Sequence, residues 1–143
     1  MNVGTLFATV ALLLASIDSA FAQATLGELL DAGGKKLAKD EVTSTVSGKT
    51  VTGVNALGGE TRIDYNTDGA MVGSGKNPQG RGREYPISGK WWVEENGKWC
   101  TDFRTPAGPN STCAYLFKSG DEYFVSGSTS DRSVRVVKRA IGK

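Results

Sequence analysis

The sequence predicts a mainly β protein: a small antiparallel meander, closed as a barrel or folded as a sandwich, with one short helix before it. Three observations carry this expectation. Beyond Gly48 the chain is a succession of short β-branched and aromatic stretches separated by Gly, Asn, Asp and Pro. A run of that kind reads as many short strands joined by turns. Only residues 39–47 show helical spacing, with Leu37, Glu41, Val42, Thr45 and Val46 recurring before Gly48, a natural stop. The apolar face of that helix is narrow, so its expected place is over one end of the sheet.

Residues 5–17 form a nearly unbroken apolar stretch that ends in Ser19-Ala20-Phe21-Ala22. It is too short to cross a bilayer as a helix, which takes about 20 residues. Small residues at the two positions a signal peptidase reads fit a cleaved secretory signal over residues 1–22, with cleavage after Ala22 or Ala24. No Lys or Arg precedes the apolar stretch, a departure from the usual pattern. Residues 23–36 hold one apolar cluster, Leu26, Leu29 and Leu30, ahead of Gly33-Gly34. The paired glycines break any continuous helix, so this segment is expected to be a flexible N-terminal arm or a single helical turn. The β-rich domain is then residues 37–143. Its size suits one domain and no more.

The chain has 17 basic and 15 acidic residues, and losing the leader with Asp18 raises the net charge from +2 only to +3. Such a mild excess argues against nucleic acid as a partner. With no His at all, the commonest general base and the commonest metal ligand are both missing. No cofactor and no metal site are expected, and an enzyme is disfavoured. Cys100 and Cys113 are the two cysteines. Zinc would need four ligands; an even pair in an exported chain reads as a disulfide. It would close a loop of about 14 residues, worth about 3 kcal/mol on the chain-entropy model.

The strands follow in order. Residues 50–54 are short and β-branched, and Thr61, Ile63 and Tyr65 alternate with Arg62 and Asp64. Asn66-Thr67-Asp68-Gly69 is turn chemistry before a strand at 70–73. Residues 75–82, with Pro78 and several glycines, are expected to form a mobile loop. Further strands are expected at 83–87, 90–94, 98–103, 114–118, 122–126 and 133–138. Around Glu95-Asn96-Gly97 the register can be derived. A two-residue Asn-Gly turn pairs Val93 with Cys100 and mixes apolar with polar on both faces. A three-residue loop with Gly97 left-handed pairs Val93 with Trp99 and Trp91 with Thr101. That gathers Trp91, Val93, Trp99 and Phe103 on one face, so burial selects it.

In that register Trp92 points away from the core, opposite Cys100. It either covers the disulfide or offers an aromatic platform to a sugar or peptide, flanked by Lys90 and Arg104. Covering is preferred, because a disulfide on an outer face needs apolar shelter. Arg81 and Arg83 are cations that an acidic partner could meet, although solvated loop charges usually have no such role. The stretch from Gly73 to Pro78 fails as a phosphate-binding loop: Ala70 stands at the first glycine, Asn77 follows Lys76, and Pro78 gives no helix entry. Asp40-Glu41 and Glu94-Glu95 are sequence neighbours, which does not hold two carboxylates across a cleft. Asp40 and Glu41 suit the first turn of the helix. Asn110-Ser111-Thr112 matches a glycosylation acceptor, relevant only in a eukaryotic producer.

At Gly89-Lys90-Trp91-Trp92-Val93-Glu94, then Trp99-Cys100 and Cys113-Ala114-Tyr115, the chain resembles a group of small secreted proteins found mainly in alphaproteobacteria. Val46-Ser47-Gly48-Lys49-Thr50 matches the stretch that ends the short helix of that group. The resemblance spans most of residues 37–118 and implies a periplasmic or secreted β protein; it brings no activity, since none is assigned to the group. The glycines at 75–82 depart from it. A weaker similarity to lipocalin-like barrels places Gly-x-Trp in the wrong half of the chain. The expected function is therefore a non-catalytic exported domain that binds a protein or envelope component. The alternatives are a hydrolase working through Asp or Glu alone, and an inhibitor of an envelope enzyme using residues 101–112 as a rigid loop.

Overall fold

The computed structural model describes residues 24–142, so the leader over residues 1–22 lies outside the described residues. Eight strands form a closed antiparallel barrel in which each pairs with the next in sequence. They are β2 (Lys49–Val54), β3 (Glu60–Tyr65), β4 (Ala70–Asn77), β5 (Arg83–Val93), β6 (Lys98–Thr105), β7 (Gly108–Ser119), β8 (Glu122–Ser126) and β9 (Val137–Gly142). β9 returns to pair with β2, Thr52 facing Ala140, and that contact decides for a barrel over a sandwich. Closure leaves no long free edge, the standing hazard of an open sheet. A two-residue strand, β1 (Lys35–Lys36), continues the sheet beyond the end of β6 by pairing with Lys118 and Phe117 of β7.

Period-two alternation fills the interior. Val51, Tyr65, Met71, Ile87, Trp91, Trp99 and Leu116 are all buried in one cluster. Tyr65 meets Trp91 and Trp99 edge-on, with ring centroids 5.8 and 4.9 Å apart. The helix α2 (Lys39–Val46) closes one end of this core, with Val42 and Val46 fully buried. It forms there because Glu41 accepts from the backbone N–H of Ala38 at 2.8 Å and two acids occupy the first turn. Val42 and Val46, four apart, then share the face turned into the barrel.

The β5–β6 hairpin has the register that burial selects. Val93 faces Trp99, Trp91 faces Thr101, and Gly97 sits at φ 84° in a three-residue loop closed by Glu94 and Lys98. The loop also rests on the start of α2. Lys39 pairs with Glu95, and the ammonium of Lys36 donates to the carbonyl of Asn96.

Five expectations need correction, the first being the last strand, which spans Val137–Gly142 and not 133–138. Residues 24–36 are not a loose arm. Thr25 and Glu28 build a capping box that starts helix α1 (Leu26–Asp31). Its Leu26 and Leu29 pack outside the barrel with Phe117, Phe124 and Val136, and the backbone N–H of Leu26 donates to the carbonyl of Val134 at 2.8 Å. The glycine-rich loop is shorter than residues 75–82, because β4 runs on to Asn77. Gly75 belongs to that strand because the ring of Tyr85 occupies the space a side chain would need. The two strands expected at 83–87 and 90–94 are one, β5, continuous through Gly89. Finally, residues 101–112 are not a rigid loop. They are the body of the β6–β7 hairpin, paired from Thr101 with Thr112 to Thr105 with Gly108. What that segment presents at the surface is a paired hairpin with its turn between Thr105 and Gly108.

Candidate functional site

Three of the residues singled out from the sequence share the outer wall of β5 and β6. Across the ladders Trp92 faces Cys100 and Cys100 faces Cys113; two pairs further on, Lys90 faces Asp102, and two beyond that Ser88 faces Arg104. Cys100 and Cys113 are bonded, with Cα atoms 4.1 Å apart, the close approach of directly opposed residues in a non-hydrogen-bonded pair. Cys100 is wholly buried, whereas Cys113 is exposed.

Trp92 itself remains 42% exposed, while Trp91 and Trp99 are buried. An indole that only sheltered the disulfide would lose most of its own exposure. Its open side instead borders a shallow depression of about 470 Å³ whose rim is Asp68, Ala70 and Lys90. The short residues Gly69 and Ala70 leave that space open beside the ring. The arrangement can place an apolar surface against the indole and a polar group against Lys90 or Asp68.

Arg81 and Arg83 do not join this site. Arg83 begins β5, opposite Asn77, and nine residues of extended chain put it roughly 30 Å from Trp92. Arg81, at φ 58°, ends the tight turn Pro78–Gly80 in the left-handed region.

A larger concavity was missed from the sequence. It crosses the outside of β9, β2, β3 and β4 and encloses about 600 Å³. Its floor is the row Ala140, Thr52, Arg62, Ser74, which the ladders place side by side. Its ridge is the next row toward the opposite end of the barrel from α2, where Glu60, Lys76 and Glu84 come from three successive strands. Nothing in the spacing of these residues along the chain signals the row; only the register of four ladders assembles it.

This ridge is where a carboxylate pair could have acted as acid and base. Glu60 and Glu84 do come from different strands, yet Lys76 stands between them, 3.9 Å from Glu60. The hydroxyl of Ser74 donates to Glu84. Two carboxylates divided by an ammonium do not flank a common bond, which is the geometry hydrolysis requires.

Inside the barrel two groups are perturbed. Burial pushes the Tyr65 phenol up to about 12, and the positive charge of Arg139 pulls against that rise. Desolvation lowers the pKa of Arg139 in turn. Its guanidinium donates to the carbonyls of Val54 and Lys138 at 3.3 and 3.1 Å, so it is held by backbone rather than by a carboxylate. Among the described residues one group of metal-ligand types converges, Glu94 with Cys100 and Cys113. Both sulfurs are committed to the disulfide, which leaves a single carboxylate and no basis for a metal centre. No helix among the described residues is long and apolar enough to cross a membrane.

The chain matches no protein-family model, and neither a curated protein nor a solved structure matches it significantly.

Proposed function

We propose that this chain is an exported, non-catalytic binding domain that engages a protein or envelope component through the outer barrel wall around Trp92. The carrying observation is the half-open indole. Of three tryptophans, two fill the core and one is left at 42% exposure beside a depression with Lys90 on its rim. Trp anchors of this kind concentrate binding energy, and truncating one typically costs about 2 kcal/mol or more. The disulfide supports both halves of the reading. It suits an oxidising compartment, and it ties β6 to β7 directly behind the wall. Together with the apolar leader it supports a periplasmic or secreted location. The lack of His and the divided carboxylates favour binding over catalysis.

The test is a comparison of wild-type protein with Trp92→Ala. The disulfide-bonded protein is immobilised and challenged with envelope extract, and each captured partner is then measured with the purified variant. The proposal expects a loss of about 30-fold or more in affinity with the melting temperature nearly kept. Unchanged capture together with a large fall in melting temperature would reduce Trp92 to a cover for the disulfide.

A further inference from the structure

The trough on the opposite wall carries an independent inference. Its floor residues Ala140, Thr52 and Ser74 are short, and they lie in one transverse row with Arg62 at its centre. Arg62 is exposed, and among the described residues its guanidinium enters no hydrogen bond and no ion pair. The other cations nearby are already engaged, Lys76 with Glu60 and Lys138 with Glu122. The trough thus holds one unspent fork of N–H donors standing on a floor of small side chains.

We infer that this trough binds an extended acidic segment of a partner polypeptide, with one of its carboxylates taken by Arg62. Planar guanidinium and carboxylate groups match in a two-bond fork, which an ammonium cannot offer. The charge open to a ligand is local: Lys76 stands with Glu60, Lys138 with Glu122 and Glu84 with the Ser74 hydroxyl, which leaves the Arg62 guanidinium free. From β9 to β5 the trough crosses four strand spacings, about 19 Å, enough for five or six residues of extended chain. No aromatic side chain lines it, so a sugar would find no stacking platform there, which favours a peptide over an acidic glycan.

The probe is a blocked synthetic hexapeptide alternating Glu and Ala, titrated into the folded, disulfide-bonded protein and followed by amide NMR. A Gln-for-Glu version of the peptide and an oligogalacturonate serve as comparisons. Saturable shifts are expected at Thr52, Arg62 and Ser74 with the Glu peptide alone. Arg62→Gln should weaken binding about tenfold or more. Thr52→Trp, which fills the floor from an outward position, should abolish binding while the rest of the spectrum stays native. Trp92→Ala should leave binding unchanged, so this site stands or falls apart from the wall proposed above. Equal binding of the Gln peptide, indifference to Arg62→Gln, tighter binding of the oligogalacturonate, or no saturation by about 10 mM would each overturn the inference.

Discussion

Trp92 stands directly across the ladder from Cys100, yet the indole keeps 42% of its surface in solvent while the cysteine has none. The contrast gives the stability side of the functional test. Removing a fully buried aromatic typically costs 3–5 kcal/mol. Trp92→Ala should cost well under that, about 1 kcal/mol, because much of the ring never left water. Chemical denaturation of the disulfide-bonded variant checks this. A loss near the buried-aromatic range would mean that sheltering Cys100 is the main role of the ring.

The disulfide closes a loop of about 14 residues, and the chain-entropy model gives it about 3 kcal/mol. Replacing Cys100 and Cys113 together by Ala should lower stability by roughly 2–3 kcal/mol while the barrel still forms, since the β6–β7 ladder runs to Thr105 and Gly108 without it. In the unaltered protein, thiol titration under denaturing, non-reducing conditions should find no free thiol. Two reactive thiols in protein taken from its native compartment would remove both this crosslink and part of the argument for export.

How much of this was legible in advance follows from how local each cause is. The Glu95-Asn96-Gly97 register was readable because one left-handed glycine and the burial of Val93 and Trp99 act within ten residues. The role of Gly75 was not, because the β4–β5 register is what sets Tyr85 over it, and the glycines and Pro78 of the connection do not disclose where β4 ends. A glycine that makes room for a neighbour looks, in sequence, like a glycine that makes a loop. Helix α1 was legible only as one of two readings, a helical turn or a loose arm. Six residues are too few for a periodic signal, and what orders them is Phe117, Phe124 and Val136, nearly a hundred residues away in sequence. Trp92 and Lys90 were legible as sharing one outward face because they are near neighbours on one strand. Arg62 and Ser74 become neighbours only through the β3–β4 ladder, and so the trough was not.

The two core tryptophans should respond differently to the same substitution. The indole N–H of Trp91 donates to the carbonyl of Asn66 at 2.9 Å, whereas that of Trp99 is buried without an acceptor. Trp91→Phe loses a hydrogen bond and leaves the Asn66 carbonyl with the Gly69 N–H as its donor; Trp99→Phe removes a desolvated donor along with some volume. Trp99→Phe is therefore expected to be the milder of the two, by about 1 kcal/mol in denaturant titration. The reverse order would place the energetic centre of the core at the Tyr65–Trp99 contact instead of the Trp91–Asn66 anchor.

Tyr65 sets a pH limit on the fold. Its phenol ionises near 10 in an unfolded chain, and burial holds it at about 12 in the barrel. Between those values the unfolded chain releases a proton that the folded chain keeps, so unfolding is favoured increasingly as pH rises. The stabilisation is fully present below pH 10 and is lost through about 12, amounting to about 3 kcal/mol across the window. Other groups titrate there too, so the measurement is a difference. Urea denaturation of wild type and Tyr65→Phe is followed from pH 8 to pH 11.5. The Phe variant keeps the edge-on contacts with Trp91 and Trp99 but has no proton to lose. Its stability should fall less steeply above pH 10, so the stability of wild type relative to the Phe variant should decline as pH increases. Parallel curves would show that the phenol titrates alike in both states, and that the buried Tyr65–Arg139 pair does not govern the alkaline limit of the barrel.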